Sequence, residues 1–70
     1  MNLKEAQVGI PYTVCRIQTE DKELTAFLFS LGCYSGEPIT VVRHLRGGVI
    51  VAIKDGRYCI DHRLAAAILI

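Results

Sequence analysis

The sequence has no apolar run long enough to cross a bilayer. Its longest, Leu64 to Ile70, falls far short of the roughly 20 residues a spanning helix needs, and the opening MNLKEAQVG lacks a signal-peptide core. The expectation is a chain made and kept in the cytosol, without membrane insertion. An excess of charge is also missing. Eight Lys and Arg against seven Asp and Glu leave +1, which creates no broad field for phosphates or anionic lipid and disfavours a nucleic-acid partner. Nor is there a disulfide framework: Cys15, Cys33 and Cys59 are odd in number and widely spaced, as suits a reducing compartment.

Catalytic and metal motifs are equally scarce. No G-x-x-x-x-G-K-[ST] loop is present to cradle a nucleotide, and no C-x-x-C or H-x-x-x-H pair offers zinc-type ligand spacing. Cys59 and Asp61 would share a face of an extended strand while His62 points away, so these three do not make a ligand set by spacing alone. Cys-His catalysis needs a thiol activated by its neighbours in a cleft, for which a very small domain has little room. No metal site, cofactor or enzymatic activity is expected.

What is abundant is apolar surface. Hydrophobic residues are 51% of the chain with mean hydropathy +0.34, in a length near the lower limit for a single core. Residues 1–70 are read as one domain that buries most of this surface or shows part of it to a partner. No internal repeat, linker or low-complexity segment divides it.

The stretch LTAFLFSLGCYSG, Leu24 to Gly36, organises the rest. Leu24, Phe27, Leu28 and Leu31 recur at helical spacing and predict a buried stripe on a helix from about Asp21 to Leu31, with Thr19, Glu20 and Asp21 available to cap its positive end. Gly32 follows at the position that takes a left-handed backbone, and Cys33 packs back on Leu28. Ser35-Gly36 makes a second tight turn.

Strands account for the remainder. Leu3 and Val8 are expected to tuck under the fold before Gly9 turns the chain, and Pro11 suits the start of a strand that continues as Tyr12 to Gln18. Pro38 to His44 is β-branched and alternating, with Ile39 and Val41 on one face. After the break at Leu45-Arg46-Gly47-Gly48, VIVAIK over Val49 to Lys54 is apolar on both faces and therefore central or covered. Asp55-Gly56 predicts a type I′ turn joining Lys54 to Arg57. Arg57 to Ile60 gives a fourth strand, His62 to Ala67 a short helical turn, and Ile68 to Ile70 a last strand closing on the first. Five short strands and one inserted helix describe a mainly β fold, a small five-stranded barrel of the SH3-like kind.

These residues resemble the FeoA family, the small cytosolic component of bacterial ferrous iron transport, whose domain also occurs at the carboxyl end of DtxR-type iron-dependent repressors. The likeness covers nearly the whole chain. It rests on Leu3 and Gly9, on Leu28, Leu31 and Gly32, and on Gly36 with Ile39 and Val41, which give the spacing L-G-x-x-x-G-x-x-I-x-V. Ile50, Val51, Gly56, Ile60, Ala65, Ile68 and Ile70 extend it. Two positions depart: the loop His44 to Gly48 lacks the family's usual proline, and Asp61 stands where the family commonly has arginine. A divergent or second-copy member fits these departures. The resemblance implies a non-catalytic accessory that binds the cytosolic part of FeoB, the membrane G-protein transporter of ferrous iron, and modulates uptake. Other classes left open are a small nucleic-acid-binding barrel and a module that self-associates into a homo-oligomer, the latter suggested by the apolar Ile68-Leu69-Ile70.

For partner contact the sequence offers two places. Phe29 lies about 140° from Leu24 on the helical wheel, beside Lys22 and away from the stripe. Arg43, His44, Leu45 and Arg46 form a basic hairpin tip with one apolar residue, Leu45, expected to be exposed at its centre. Gly32, Ser35, Gly36, Asp55 and Gly56, like Gly47 and Gly48, are read as turn requirements. Tyr12, Tyr34 and Tyr58 are dispersed and read as core or rim residues.

Overall fold

In the computed structural model, which describes residues 1–70, eight regular elements follow a 3-10 turn at Leu3–Glu5. They are β1 (Pro11–Thr13), β2 (Arg16–Ile17), α1 (Lys22–Ser30), β3 (Pro38–His44), β4 (Gly48–Ile53), β5 (Gly56–Asp61), α2 (His62–Ala67) and β6 (Ile68–Leu69). One sheet has the order β1-β3-β4-β5 and a second pairs β2 with β6. The fold is mainly β with two helices, and its strands are six in two sheets where five in one barrel were expected.

The sixth strand arises because the expected Tyr12–Gln18 strand is interrupted. Val14 and Cys15 are apolar neighbours, which breaks alternation, and each bonds a different part of the chain. The Val14 N–H donates to the Glu37 carbonyl (2.9 Å), whereas the Cys15 N–H donates to Leu69 (2.7 Å). Val14 is buried, and the chain crosses there from one sheet to the other. The carboxyl-terminal strand thus closes on the second half of the predicted first strand, with Ile17 opposite Ile68.

The amino-terminal turn is set by Asn2 and Glu5. The Asn2 side chain accepts from the Lys4 N–H and Glu5 accepts from the Asn2 N–H, both at 2.9 Å, so each satisfies a free backbone donor. Leu3 is buried as expected, but Val8 is 53% exposed and Ala6 takes the inner place. Val8 sits in the turn with Gly9, whose φ is +83°, and that turn carries it to the surface.

The core faces of β3, β4 and β5 alternate as a half-covered sheet requires. Ile39, Val41, Val49, Val51, Ile53 and Ile60 are each at most 2% exposed, and Leu3, Val14, Leu28, Leu64, Ala65 and Ile68 close the other side. Each large side chain so buried contributes roughly 2 kcal/mol of transfer free energy. β4 is central in its sheet, between β3 and β5, as the two-faced apolar pattern predicts. A register shift between Val41 and Arg43 marks a bulge in β3.

Helix α1 starts where Asp21 accepts from the Glu23 and Leu24 N–H groups (2.9 and 3.3 Å). It ends in a Schellman pair: the Gly32 N–H donates to Phe29 and the Cys33 N–H to Leu28, both at 2.9 Å, with Gly32 at φ +91°. This is the predicted stop. The predicted stripe is only partly buried. Leu28 is fully enclosed and Leu24 and Leu31 half-buried, while Phe27 is 49% exposed. The helix is seated through one residue and the turn behind it, so Phe27 finds no layer to enter.

The β4–β5 turn differs from expectation by one residue. Ile53 pairs with Gly56, so Lys54 and Asp55 occupy the tip, and the positive φ (+51°) falls on Lys54, not on Asp55 or Gly56. Beside this turn Gly56 lies against Tyr58, two residues on, whose hydroxyl and ring occupy the space a Cβ would need. At the other end of β5 the Asp61 carboxylate accepts from the Leu64 N–H (2.8 Å) and opens α2.

Candidate functional site

The α1 stop, the turn behind it and the β4–β5 tip enclose an open groove of about 510 Å³, lined by Phe29, Leu31, Tyr34, Lys54 and Tyr58 among others. The Schellman turn directs the chain back under the helix and places Tyr34 beneath Phe29. Their rings stack with centroids 4.8 Å apart and an interplanar angle of 28°. Phe29 remains 63% exposed. Lys54 Nζ lies 5.5 Å from the Tyr34 ring centroid and 3.1 Å from Glu37 Oε2. Phe29, Tyr34, Lys54 and Glu37 therefore form a continuous aromatic and charged surface.

Its electrostatics follow from the ion pair. The hydrogen bond with Lys54, and then one with Tyr34, holds the Glu37 carboxyl below the usual carboxylate range. The bond with Glu37 raises the Lys54 ammonium above its ordinary value. Both charges persist across neutral pH. Gly32 supplies the floor: a Cβ there would stand 2.9 Å from Lys54 Cδ and Cε. The same glycine thus stops the helix and admits the lysine stem. Lys54 holds a left-handed φ that costs a side-chain-bearing residue of order 1 kcal/mol, and strained backbone concentrates where a side chain must be aimed.

The sequence candidates are divided by the fold. Lys22 is exposed on α1, seven residues and about 10 Å along the axis from Phe29. Arg43, His44, Leu45 and Arg46 lie at the opposite end of β4, about 20 Å from the Lys54 tip by strand length, so the two sets do not make one site. Leu45, expected to be exposed, is half-buried, because its N–H donates to the Gly48 carbonyl (2.8 Å) and draws the turn back on β4. His44 Nε2 donates to the Ala6 carbonyl at 2.8 Å, which ties β3 to the amino-terminal segment. Ser35 and Gly36 form the turn under Tyr34, with Gly36 at φ +92° and its N–H donating to Val14 (2.8 Å). Asp55 and Gly56 border the groove.

The groove's other members were not found from sequence. Tyr34 and Tyr58, read as dispersed, meet there, and Glu37 and Lys54 are 17 positions apart with nothing local to join them. The one available signal was a lysine before Asp-Gly. No group of three or more His, Cys, Asp or Glu side chains comes together. Cys15 and Cys59 are exposed, and burial pushes the Cys33 thiol up to about 11, which leaves it neutral and unreactive.

Comparison with known proteins defines the class first. The fold matches a Stenotrophomonas maltophilia FeoA solved with zinc, described as a prokaryotic SH3 domain protein and a candidate ferrous iron transport activating factor. The TM-score is 0.85 at 19% identity over 99% of this chain and 87% of the other. It also matches an iron uptake regulatory protein (FeoA), at TM-score 0.86 and 25% identity over 97% and 91% of the two chains. A manganese-dependent transcriptional repressor matches at TM-score 0.83 and 26% identity, over 97% of this chain but 39% of the repressor. The architecture is SH3-like. The FeoA domain model matches residues 1–70, and the chain belongs to the FeoA family. No curated protein sequence matches it. None of its helices is long and apolar enough to cross a membrane.

Proposed function

We propose that residues 1–70 act in the cytoplasm, as one domain, in a non-catalytic accessory role in ferrous iron uptake. The module binds the cytosolic part of a FeoB-type G-protein transporter and modulates it without binding nucleic acid. The family match along the whole chain carries this reading, and a related FeoA is described as a candidate activating factor of ferrous iron transport. The groove at Phe29, Tyr34 and Lys54 is the contact we assign. An exposed aromatic pair beside a fixed cation suits an interface centre, where aromatic anchors supply most of the energy. Lys22 extends the surface along α1, and the Arg43–Arg46 tip offers a second, separate contact.

The test is titration of the purified protein against the transporter's cytosolic G domain and against the full transporter in detergent. Saturable binding that protects the amides around Tyr34 and Lys54 from exchange supports the reading. No binding to either, together with normal iron uptake in a deletion strain, overturns it.

A further inference from the structure

The two edges of the four-stranded sheet are unequal. β1 is three residues long and begins with Pro11, a short edge blunted by a residue without an N–H. β5 has six residues, GRYCID, with no proline and no lysine, and pairs with β4 alone. Because Ile53 and Gly56 flank a two-residue turn, they form the hydrogen-bonded closing pair, and pairs alternate from there. The backbone N–H groups of Arg57, Cys59 and Asp61 then face away from β4, as do the Arg57 and Cys59 carbonyls. No turn, loop or cap hydrogen bond uses any of them. The side chains of the same three residues are exposed on the outer face of the sheet.

We propose that β5 is a self-association edge, on which a second copy of this chain pairs antiparallel about a two-fold axis at Cys59. The charges select that occupant and that register. With Cys59 opposite Cys59 of the second copy, Arg57 falls opposite Asp61 and Asp61 opposite Arg57, giving two cross-strand pairs of opposite charge. Moving the axis to Tyr58 sets Arg57 against Cys59 and leaves Asp61 opposite the turn residue Asp55, and moving it to Ile60 sets Asp61 against Cys59 and leaves Arg57 opposite Arg63 of α2. Neither neighbouring register pairs opposite charges along the strand. Ile50 lies beside Cys59 in the sheet, so the centre of the joined outer face is apolar and the charged pairs flank it. A self-complementary patch of this kind is what a two-fold contact requires, and its side chains lie on the face of β5 opposite Tyr58, which lines the groove at Lys54.

Sedimentation from about 10 µM to about 1 mM reads the affinity range expected of a short edge pairing. The parent is expected to pass from monomer to dimer. Arg57→Glu places like charges opposite and weakens dimerisation about tenfold. Cys59→Lys, which brings two ammonium groups to the axis, leaves a monomer. The register is read in a Cys15→Ser variant oxidised with diamide, which takes up two electrons and two protons as two Cys59 thiols become one disulfide. Directly opposed strand residues lie within disulfide reach, so a covalent dimer reversible by reductant is expected. A parent that stays monomeric throughout, or a dimer unaffected by both Arg57→Glu and Cys59→Lys, overturns the proposal.

Discussion

Lys54 and Glu37 form an ion pair of 3.1 Å in which the lysine belongs to a left-handed turn position, φ +51°. The pair joins the β4–β5 tip to the turn that follows the helix stop, and Lys54 Nζ also lies 5.5 Å from the Tyr34 ring centroid.

Its pH dependence has a definite sign. Glu37 is lowered in the folded protein, so its contribution is present above the ordinary carboxylate value and is lost as pH falls through the lowered one. Lys54 is raised, so its contribution is present below its ordinary value and is lost only as pH rises through the raised one. Between those limits the pair is constant. Carboxyl NMR titration should find the Glu37 midpoint below 4.5, the model-compound value, and Lys54→Met should move it upward. An unchanged midpoint would remove the pair from the solution structure.

Phe29→Ala should separate binding from stability. The ring is 63% exposed, so its loss removes the stack on Tyr34, about 1 kcal/mol, and little buried area. Urea unfolding should register that small change, whereas affinity for the transporter's cytosolic domain falls at least about tenfold, as for an interface anchor. Equal affinity for parent and variant would move the contact elsewhere.

Two glycines should differ in the cost of an added methyl group. Gly32→Ala meets a left-handed φ and the flexible Lys54 stem, a loss of about 1 to 2 kcal/mol. Gly32→Val adds more and also displaces Lys54 from the groove, so transporter binding weakens with stability. At Gly48 a Cβ would overlap the Ile60 carbonyl oxygen, which is backbone and cannot step aside. Gly48→Ala should therefore cost about 3 kcal/mol, measured by the same unfolding curves.

Thiol labelling should distinguish the cysteines. Cys15 and Cys59 are exposed and Cys33 is buried, its thiol held neutral to about pH 11. A disulfide reagent at neutral pH should titrate two thiols in the native protein and the third only on unfolding.

Much of the fold was legible because its determinants are local. Leu28, Gly32 and Cys33 specify the helix stop through contacts a few residues apart, and the β-branched run at Pro38–His44 marks its strand by composition and alternation. The capping of the first turn is legible too, in Asn2-x-x-Glu5. The strand at Tyr12–Gln18 was misread because a period-2 pattern cannot report that Val14 and Cys15 serve different sheets. Lys22, Phe29 and the Arg43–Arg46 tip were identified as exposed or basic, yet a helical wheel and a loop carry no distance between them.

The sequence by itself determined the family, the central β4 strand and the turn chemistry around Gly32 and Gly36, since each follows from short-range sterics or the order of apolar residues. The tertiary structure decided which residue of the β4–β5 turn takes positive φ. It also brought Tyr34, Lys54 and Tyr58 to one groove, set Glu37 beside Lys54, and left β5 as the long open edge. Those outcomes depend on how segments distant in the chain meet, whereas the Asp55-Gly56 pair alone would have placed the turn one residue later than the observed Ile53–Gly56 closure.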